Sequence, residues 1–295
     1  MRFEPMGQGS IPLGAAPVAA ANNLSPAHFA VIARIMQSDA RIDLAPSKMT
    51  LVHSRLSRRL RAHGLQEFGE YLKLVRSDPA ERSAMVVALT TNHTHFFREG
   101  HHFDHLQSKV LPSLKESAAK RTVRLWSAGC SSGEEIYSVA MTLAGADRGG
   151  AAWLGRNARL LATDLAPHTV NAVSRGVYSA TAVKPIPAAL QKAWVRPEGE
   201  DYAVVDALRD LVTARVLNLF GAWPMRQKYD VIFCRNVMIY FDHAAQAELQ
   251  TRLVDLLMPG GYLYIGHSER LVGDSASQLR QVGHTIYLKP DGRSQ

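Results

Sequence analysis

Two adjacent acids close a loop of small residues. The stretch SAGCSSGEE, residues 127–135, leads from an apolar segment into a helical one and ends in Glu134 and Glu135. Such a loop lets a ligand approach the backbone closely. Carboxylates at its end repel phosphate and suit an ammonium group. The spacing is neither G-x-G-x-x-G nor G-x-x-x-x-G-K-[ST], so a dinucleotide pyrophosphate or a P-loop phosphate is not indicated. The competing reading is that the two acids only complement a helix dipole. A second apolar segment, LLATDL, ends in Asp164. A carboxylate there can accept both hydroxyls of a ribose, and it can equally cap the helix that follows. A third cluster, CRNVMIYFD, puts Arg235, Asn236 and Tyr240 at the end of another apolar segment. Together these features describe an adenosyl ligand with an amino-acid moiety. S-adenosylmethionine fits that description, although local sequence leaves the dipole and capping readings open.

The elements that must position these residues follow from periodicity. After residue 120 the pattern alternates strand and helix. VRLWSAG, RLLATDL, VTARVLNLF and YDVIFCRN read as strands, and so do GYLYIGHS and HTIYLK. EEIYSVAMTLAGA, PHTVNAVSRG and AAQAELQTRLVDLLM read as helices, the last stopped by Pro259-Gly260-Gly261. The alternation predicts a mostly parallel sheet covered by helices on both faces, with ligands bound beyond the carboxyl ends of its strands. Residues 177–210, with Pro185, Pro187 and RPEGEDY, break the alternation and read as an insertion. Upstream, residues 25–89 show only helical spacing. Ser25-Pro26 opens one helix, and Pro46-Ser47 opens a second that Gly64 closes. Residues 1–22 have no period and read as a flexible tail.

Bulk properties narrow the class. The net charge of +8 favours an acidic partner. No apolar run spans a bilayer and no signal peptide is seen. The two cysteines, Cys130 and Cys234, are far apart, which suits a reduced cytoplasmic protein. Cys130 reads as a packing residue in the loop. His101-His102 look like metal ligands, but no Cys, Asp or Glu partner has a suitable spacing, so no metal is expected. His267 either reaches the pocket or packs a loop.

The segments TTNHTHFFREGHHF, LWSAGCSSGEEIYSVAMTL, LLATDL, FCRNVMIYFD and GGYLYIGHSE, spanning residues 90–269, resemble the signatures of the CheR chemoreceptor methyltransferase family. The helical region, with its basic RLSRRLR, resembles that family's N-terminal domain. The resemblance implies a class I S-adenosylmethionine methyltransferase fold, Rossmann-like, with an N-terminal all-helical domain and a small inserted β-subdomain. The expected division is a tail over 1–22 and a helical receptor-recognition domain over 23–90. A linker over 91–100 contributes to the active site. The methyltransferase domain covers 101–290, with the insertion at about 177–212. By resemblance, Asn92, Thr94 and Arg98 contact the cofactor or the methyl-transfer centre. Glu135 holds the methionine amino group and Asp164 the ribose. Asn218 and Leu219 lie along the adenine and ribose, Arg235 and Asn236 line the pocket, and Tyr240 faces the sulfonium near Arg98. The cofactor is S-adenosylmethionine, the product S-adenosylhomocysteine, and the catalytic pair Arg98 and Tyr240.

The implied reaction makes glutamyl methyl esters on the cytoplasmic methylation helices of chemoreceptors, for chemotaxis adaptation. A glutamate is already ionised at neutral pH and needs no general base. Arg98 suits the aiming of that carboxylate through its planar fork. The helix carrying Arg55, Arg58, Arg59 and Arg61 contains no acid and is expected to dock on the receptor; the plainer reading is a solvated face. A nucleic-acid or small-molecule substrate is the rival reading, disfavoured because no aromatic and basic interleaving is seen. A non-catalytic sensor is the second rival. A monomer without nucleic-acid partners or membrane insertion is expected. Some family members grip a receptor's C-terminal peptide with a Gly-rich loop of the insertion. VRPEGEDYAVV has one glycine and three acids there, so independence of that tether is expected.

Overall fold

The computed structural model describes residues 23–291; the expected flexible tail at 1–22 lies outside the described residues. The chain divides into two units. One holds residues up to Ile32 together with Ala45–Ala88, and the other holds Ala33–Leu44 and everything from Leu89 onward.

The smaller unit is built from helices. It holds the first part of helix α1 (Pro26–Ala40), whose residues from Ala33 belong to the larger unit, and the helix entry is fixed by the Ser25 hydroxyl, which accepts the His28 N–H at 3.1 Å. Helix α2, Met49–Ala62, buries Val52, Leu56 and Leu60 at helical spacing. Gly64 follows it at φ +67, as the sequence suggested for a stop. Helix α3, Phe68–Ser77, buries Phe68, Tyr71, Leu72 and Val75. Helix α4 is Pro79–Leu89. Its Glu81 is buried, and it accepts hydrogen bonds from Arg59, His63 and Tyr71. Burial pushes this carboxyl up, but the three donors outweigh burial and hold it at about 2. Of the four arginines of α2 expected to dock, Arg59 is bound bidentately to this buried acid from another helix.

In the larger unit, helix α5 (His101–His105) continues through a π turn, Leu106–Val110, into helix α6 (Leu111–Ala118). Pro112 supplies a reason for the widened turn, since it lacks an N–H and crowds the preceding turn. Then follow strand β1 (Val123–Ala128), helix α7 (Glu134–Ala144), helix α8 (Ala152–Asn157), strand β2 (Ala158–Asp164) and helix α9 (Pro167–Arg175). The insertion comprises strand β3 (Val177–Tyr178), helix α10 (Ala188–Trp194), strand β4 (Val195–Glu198), strand β5 (Asp201–Val204) and helix α11 (Asp206–Arg209). Its strands form a separate antiparallel sheet in the order β3-β5-β4. The main sheet resumes with strand β6 (Val212–Val216), strand β7 (Tyr229–Cys234), helix α12 (His243–Leu256) and strand β8 (Leu257–Ile265). Helix α13 (Ser275–Gln278) and strands β9 (Arg280–Gly283) and β10 (Ile286–Leu288) end the described chain.

The sheet order is β6-β2-β1-β7-β8-β10-β9. The strands from β6 to β8 run parallel, and β10 is antiparallel to both its neighbours. Alternate side chains feed two cores. Leu125, Val231, Phe233 and Tyr264 join α7 and the α5–α6 segment on one face, while Trp126, Ile232, Cys234, Leu263 and Ile265 join α12 on the other. Two details depart from expectation. Pro259-Gly260-Gly261 does not stop α12; the helix ends at Leu256 and those residues lie inside β8. The pairing with β7 shifts register there, and a Cβ on Gly261 would meet the Met258 and Asp230 carbonyls, so glycine permits a close approach. Strand β9 has no alternating apolar pattern and was not expected.

Candidate active site

The chain order reverses at β1, because β2 and β6 lie on one side of it and β7 on the other. Ligands bind at the carboxyl ends of strands at such a point. The loop after β1 turns sharply through Gly129 at φ +81 and Gly133 at φ +102, with Ser131 also left-handed. A Cβ on Gly129 would collide with Val237 from the segment after β7, so the two loops approach as only glycine allows.

Three segments are stitched together here. The Asp164 carboxylate accepts the Ser131 N–H at 2.9 Å and the Ala166 N–H at 3.0 Å. Asp164 therefore forms a local turn ahead of α9, whose own capping residue is Ala166. The Ser131 hydroxyl donates to the Asn92 carbonyl at 2.7 Å, and the Phe97 N–H donates to the Ser138 hydroxyl at 2.9 Å. The segment from residue 92 is thus laid against the loop and α7. Thr94, two residues on, is half-buried. Leu217 N–H donates to the Asp164 carbonyl, which brings Asn218 to the same edge. Asn218 donates to the Asp39 carbonyl at 2.7 Å, and Leu219 is buried in the α12-side core.

Arg235 sits at the centre. Its Nη1 donates to Glu135 at 3.1 Å, and its Nη2 donates to the Arg98 carbonyl and lies 3.4 Å from Glu99. Glu135 also accepts the Ser127 hydroxyl at 2.7 Å. Burial pushes the Glu135 carboxyl up against the pull of Arg235. Neighbouring Glu134 is likewise pushed up by burial. Arg98 points its guanidinium to the His93 carbonyl at 3.1 Å. Tyr240 is half-buried in the turn Met238–Tyr240, whose Tyr240 carbonyl accepts the Asp43 N–H. Among the described residues no hydrogen bond joins Arg98 to Tyr240. Cys130 is buried, and burial first of all drives its thiol well up, as suits packing rather than chemistry.

Two residues here escaped assignment from sequence. Glu269 is buried and accepts four backbone N–H groups, from Asn236, Val237, Met238 and Gly266. It staples the end of β8 to the loop carrying Arg235, where Asn236 is held at φ +59. Glu99 corrects the sequence reading of His101-His102, because its carboxylate stands beside both rings. The signal for both was their place in quoted motifs; nothing in their spacing told of these partners. His267 resolves to a contact with Glu99 at 3.1 Å.

The donor chemistry suits a cationic ligand. Glu134, Glu135 and Asp164 gather around the loop, and Arg235 pairs with Glu135 among them, an acid excess that disfavours phosphate and favours ammonium or sulfonium. Among the described residues no helix is long and apolar enough to cross a membrane.

Residues 92–288 match the family model described as CheR methyltransferase, SAM binding domain, and residues 27–90 match CheR methyltransferase, all-alpha domain. A probable chemotaxis protein methyltransferase of Rhizobium etli is 42% identical over 260 residues, covering 86% of this chain and 96% of that protein. Chemotaxis protein methyltransferase 2 of Pseudomonas aeruginosa is 41% identical, covering 83% of this chain and 87% of its own length. The chemotaxis protein methyltransferase of Escherichia coli is 40% identical, covering 90% and 91%.

Proposed function

The chain belongs to the CheR methyltransferase family, and from that membership we propose that it methyl-esterifies glutamate side chains on the cytoplasmic methylation helices of chemoreceptors. It is an S-adenosylmethionine-dependent methyltransferase of chemotaxis. The observation that carries the finer reading is the charge arrangement: buried acids line the loop, and an arginine, Arg98, stands on the segment laid over it. The acids suit the cofactor's positive charges, and the arginine suits an incoming carboxylate.

When bound, S-adenosylmethionine supplies an activated methyl group. Glu135 takes the methionine ammonium alongside Arg235, and Asp164 takes the ribose through lone pairs that its two backbone donors leave open. Asn92, Thr94, Asn218, Leu219 and Asn236 border the ligand. Arg98 turns from the His93 carbonyl to aim the acceptor carboxylate, and Tyr240 lines the path. No residue has to remove a proton, since the acceptor is already ionised. Alignment and exclusion of water do the rest, because charge is neutralised along the reaction.

The domain division is part of the proposal: residues 23–90 recognise the receptor, 91–100 complete the active site, 101–290 bind the cofactor, and the insertion does not grip a tether. The β4–β5 turn supports the last point. It is a short hairpin around Gly199 at φ +63, with Glu198, Glu200 and Asp201 at its tip, which would repel an acidic peptide. One experiment tests all of this. Receptor cytoplasmic fragments with and without a C-terminal pentapeptide are labelled from methyl-labelled cofactor. Equal labelling of both, released as methanol by mild alkali, is expected. An alkali-stable label, or one confined to RNA or DNA controls, refutes the ester; a strong preference for the pentapeptide refutes tether independence.

A further inference from the structure

The start of α5 places two histidines and an acid together in a way the methyl-transfer proposal does not use. Glu99, His101 and His102 each offer a ligand atom, and these atoms lie within 4.8 Å of one another. His102 is fully buried, while His101 is exposed.

Hydrogen bonding fixes the tautomers of both rings. His101 Nε2 lies 3.1 Å from the His284 carbonyl, which can only accept, so Nε2 carries the proton. His102 Nε2 lies 3.0 Å from the Thr285 hydroxyl. That hydroxyl donates its single proton to the His284 carbonyl at 2.7 Å, so here too Nε2 must be the donor. In both rings Nδ1 is then a bare lone pair. His102 Nδ1 faces Glu99 Oε2 at 3.7 Å. Among the described residues neither atom has a hydrogen-bond partner, although both are buried. Two acceptors facing each other in a buried place call for a positive centre between them. Arg235 Nη2, 3.4 Å from the same Oε2, reaches only the acid. The other oxygen, Oε1, is engaged by His267 at 3.1 Å.

We propose that Glu99, His101 and His102 form a site for one divalent transition ion of the Zn²⁺ class, bound through Glu99 Oε2 and the two Nδ1 atoms. Two imidazoles and a carboxylate are an established kind of Zn²⁺ donor set, and it leaves a fourth position open. Ligand atoms around such an ion, with bonds of about 2.0–2.1 Å, are spaced at about 3.4 Å, close to the Glu99–His102 gap. The outer shell is also present. Metal-bound histidines direct their second nitrogen into a hydrogen bond that fixes the ring, and here both do so onto His284 and Thr285. Exposed His101 needs only a side-chain adjustment to close the set, and it provides the route of entry.

The test uses the full chain after chelator treatment. Zn²⁺ is titrated by calorimetry, and Co²⁺ by the visible absorption of its low-coordinate complex. One ion per chain is expected at this site. Both His101→Ala and Glu99→Gln should weaken it at least about tenfold, and Thr285→Ala about 10–100-fold through the outer shell. Thermal melts show that each variant is folded. If His102 variants do not fold, the His101 and Glu99 arms still decide. Absence of saturable binding, or binding unaltered in both His101→Ala and Glu99→Gln, overturns the proposal.

Discussion

At the residue scale, Arg235 and Arg98 are held in different ways, and the proposed division of work between them follows from that. Arg235 is locked by Glu135, Glu99 and the Arg98 carbonyl, so it organises the site. Arg98 holds one backbone carbonyl and is half-exposed, so it can turn to a substrate. Arg98→Ala should therefore lose turnover by far more than cofactor affinity, read by single-turnover rates and calorimetry on the same sample. Asp164→Ala should do the reverse. It should weaken cofactor binding by about 1–3 kcal/mol, the cost of losing ribose hydrogen bonds. Normal single-turnover rates with collapsed affinity in Arg98→Ala would make Arg98 a cofactor clamp instead. That Asp164 and Arg235 come to one edge of the sheet was legible, because both stand at the carboxyl ends of apolar strand segments. Glu269 was not, because a carboxylate that serves four backbone N–H groups looks, in sequence, like any surface acid.

At the scale of elements, helix α2 has two different sides. Arg59 belongs to the buried Glu81 network, while Arg58 and Arg61 are exposed. Docking is proposed for Arg55, Arg58, Arg59 and Arg61, of which Arg58 and Arg61 are the exposed pair. Changing Arg58 and Arg61 together to Glu should raise the apparent receptor constant, with cofactor affinity and melting temperature unchanged. Added salt should weaken the wild type in the same direction. A solvated face would show neither effect. The Glu81 network makes a prediction of its own. The Glu81 carboxyl is held at about 2, below its ordinary value of 4.5. Its contribution is therefore complete above pH 4.5 and is lost as pH falls toward 2. Glu81→Gln should cost about 1–3 kcal/mol near neutrality, since it removes the charge that the half-exposed Arg59 and His63 and the buried Tyr71 bond to, and less in acid. Urea melts across pH would show the gap closing; a constant gap would refute the ion-pair account. Helices α2, α3 and α4 were readable from apolar spacing and capping residues. Their shared acid was not, because helical periodicity does not say which helix faces which.

On the scale of the whole molecule, the alternating pattern after residue 120 foretold a mostly parallel sheet, and the sheet is there. Strand β9 and the glycines inside β8 were illegible because they are set by partners far along the chain. The same topology has a consequence for how the protein is made. Strand β1 lies inside the sheet, yet it gains its second neighbour only when β7 has been synthesised. Arg124 and Asp230, which bond across that junction, are 106 positions apart. While the ribosome is still extending the chain, β1 and β2 exist with an apolar edge exposed to water and to other nascent chains. At about 5–20 residues per second, that interval lasts about 5–20 seconds. Chains stalled just before residue 229 should therefore bind holdase chaperones and aggregate on release, whereas chains extended beyond β10 should not. Ribosome-bound stalling series with protease probing would read this directly. Protection that appears before β7 has emerged would mean the β1 edge is sheltered by some other means.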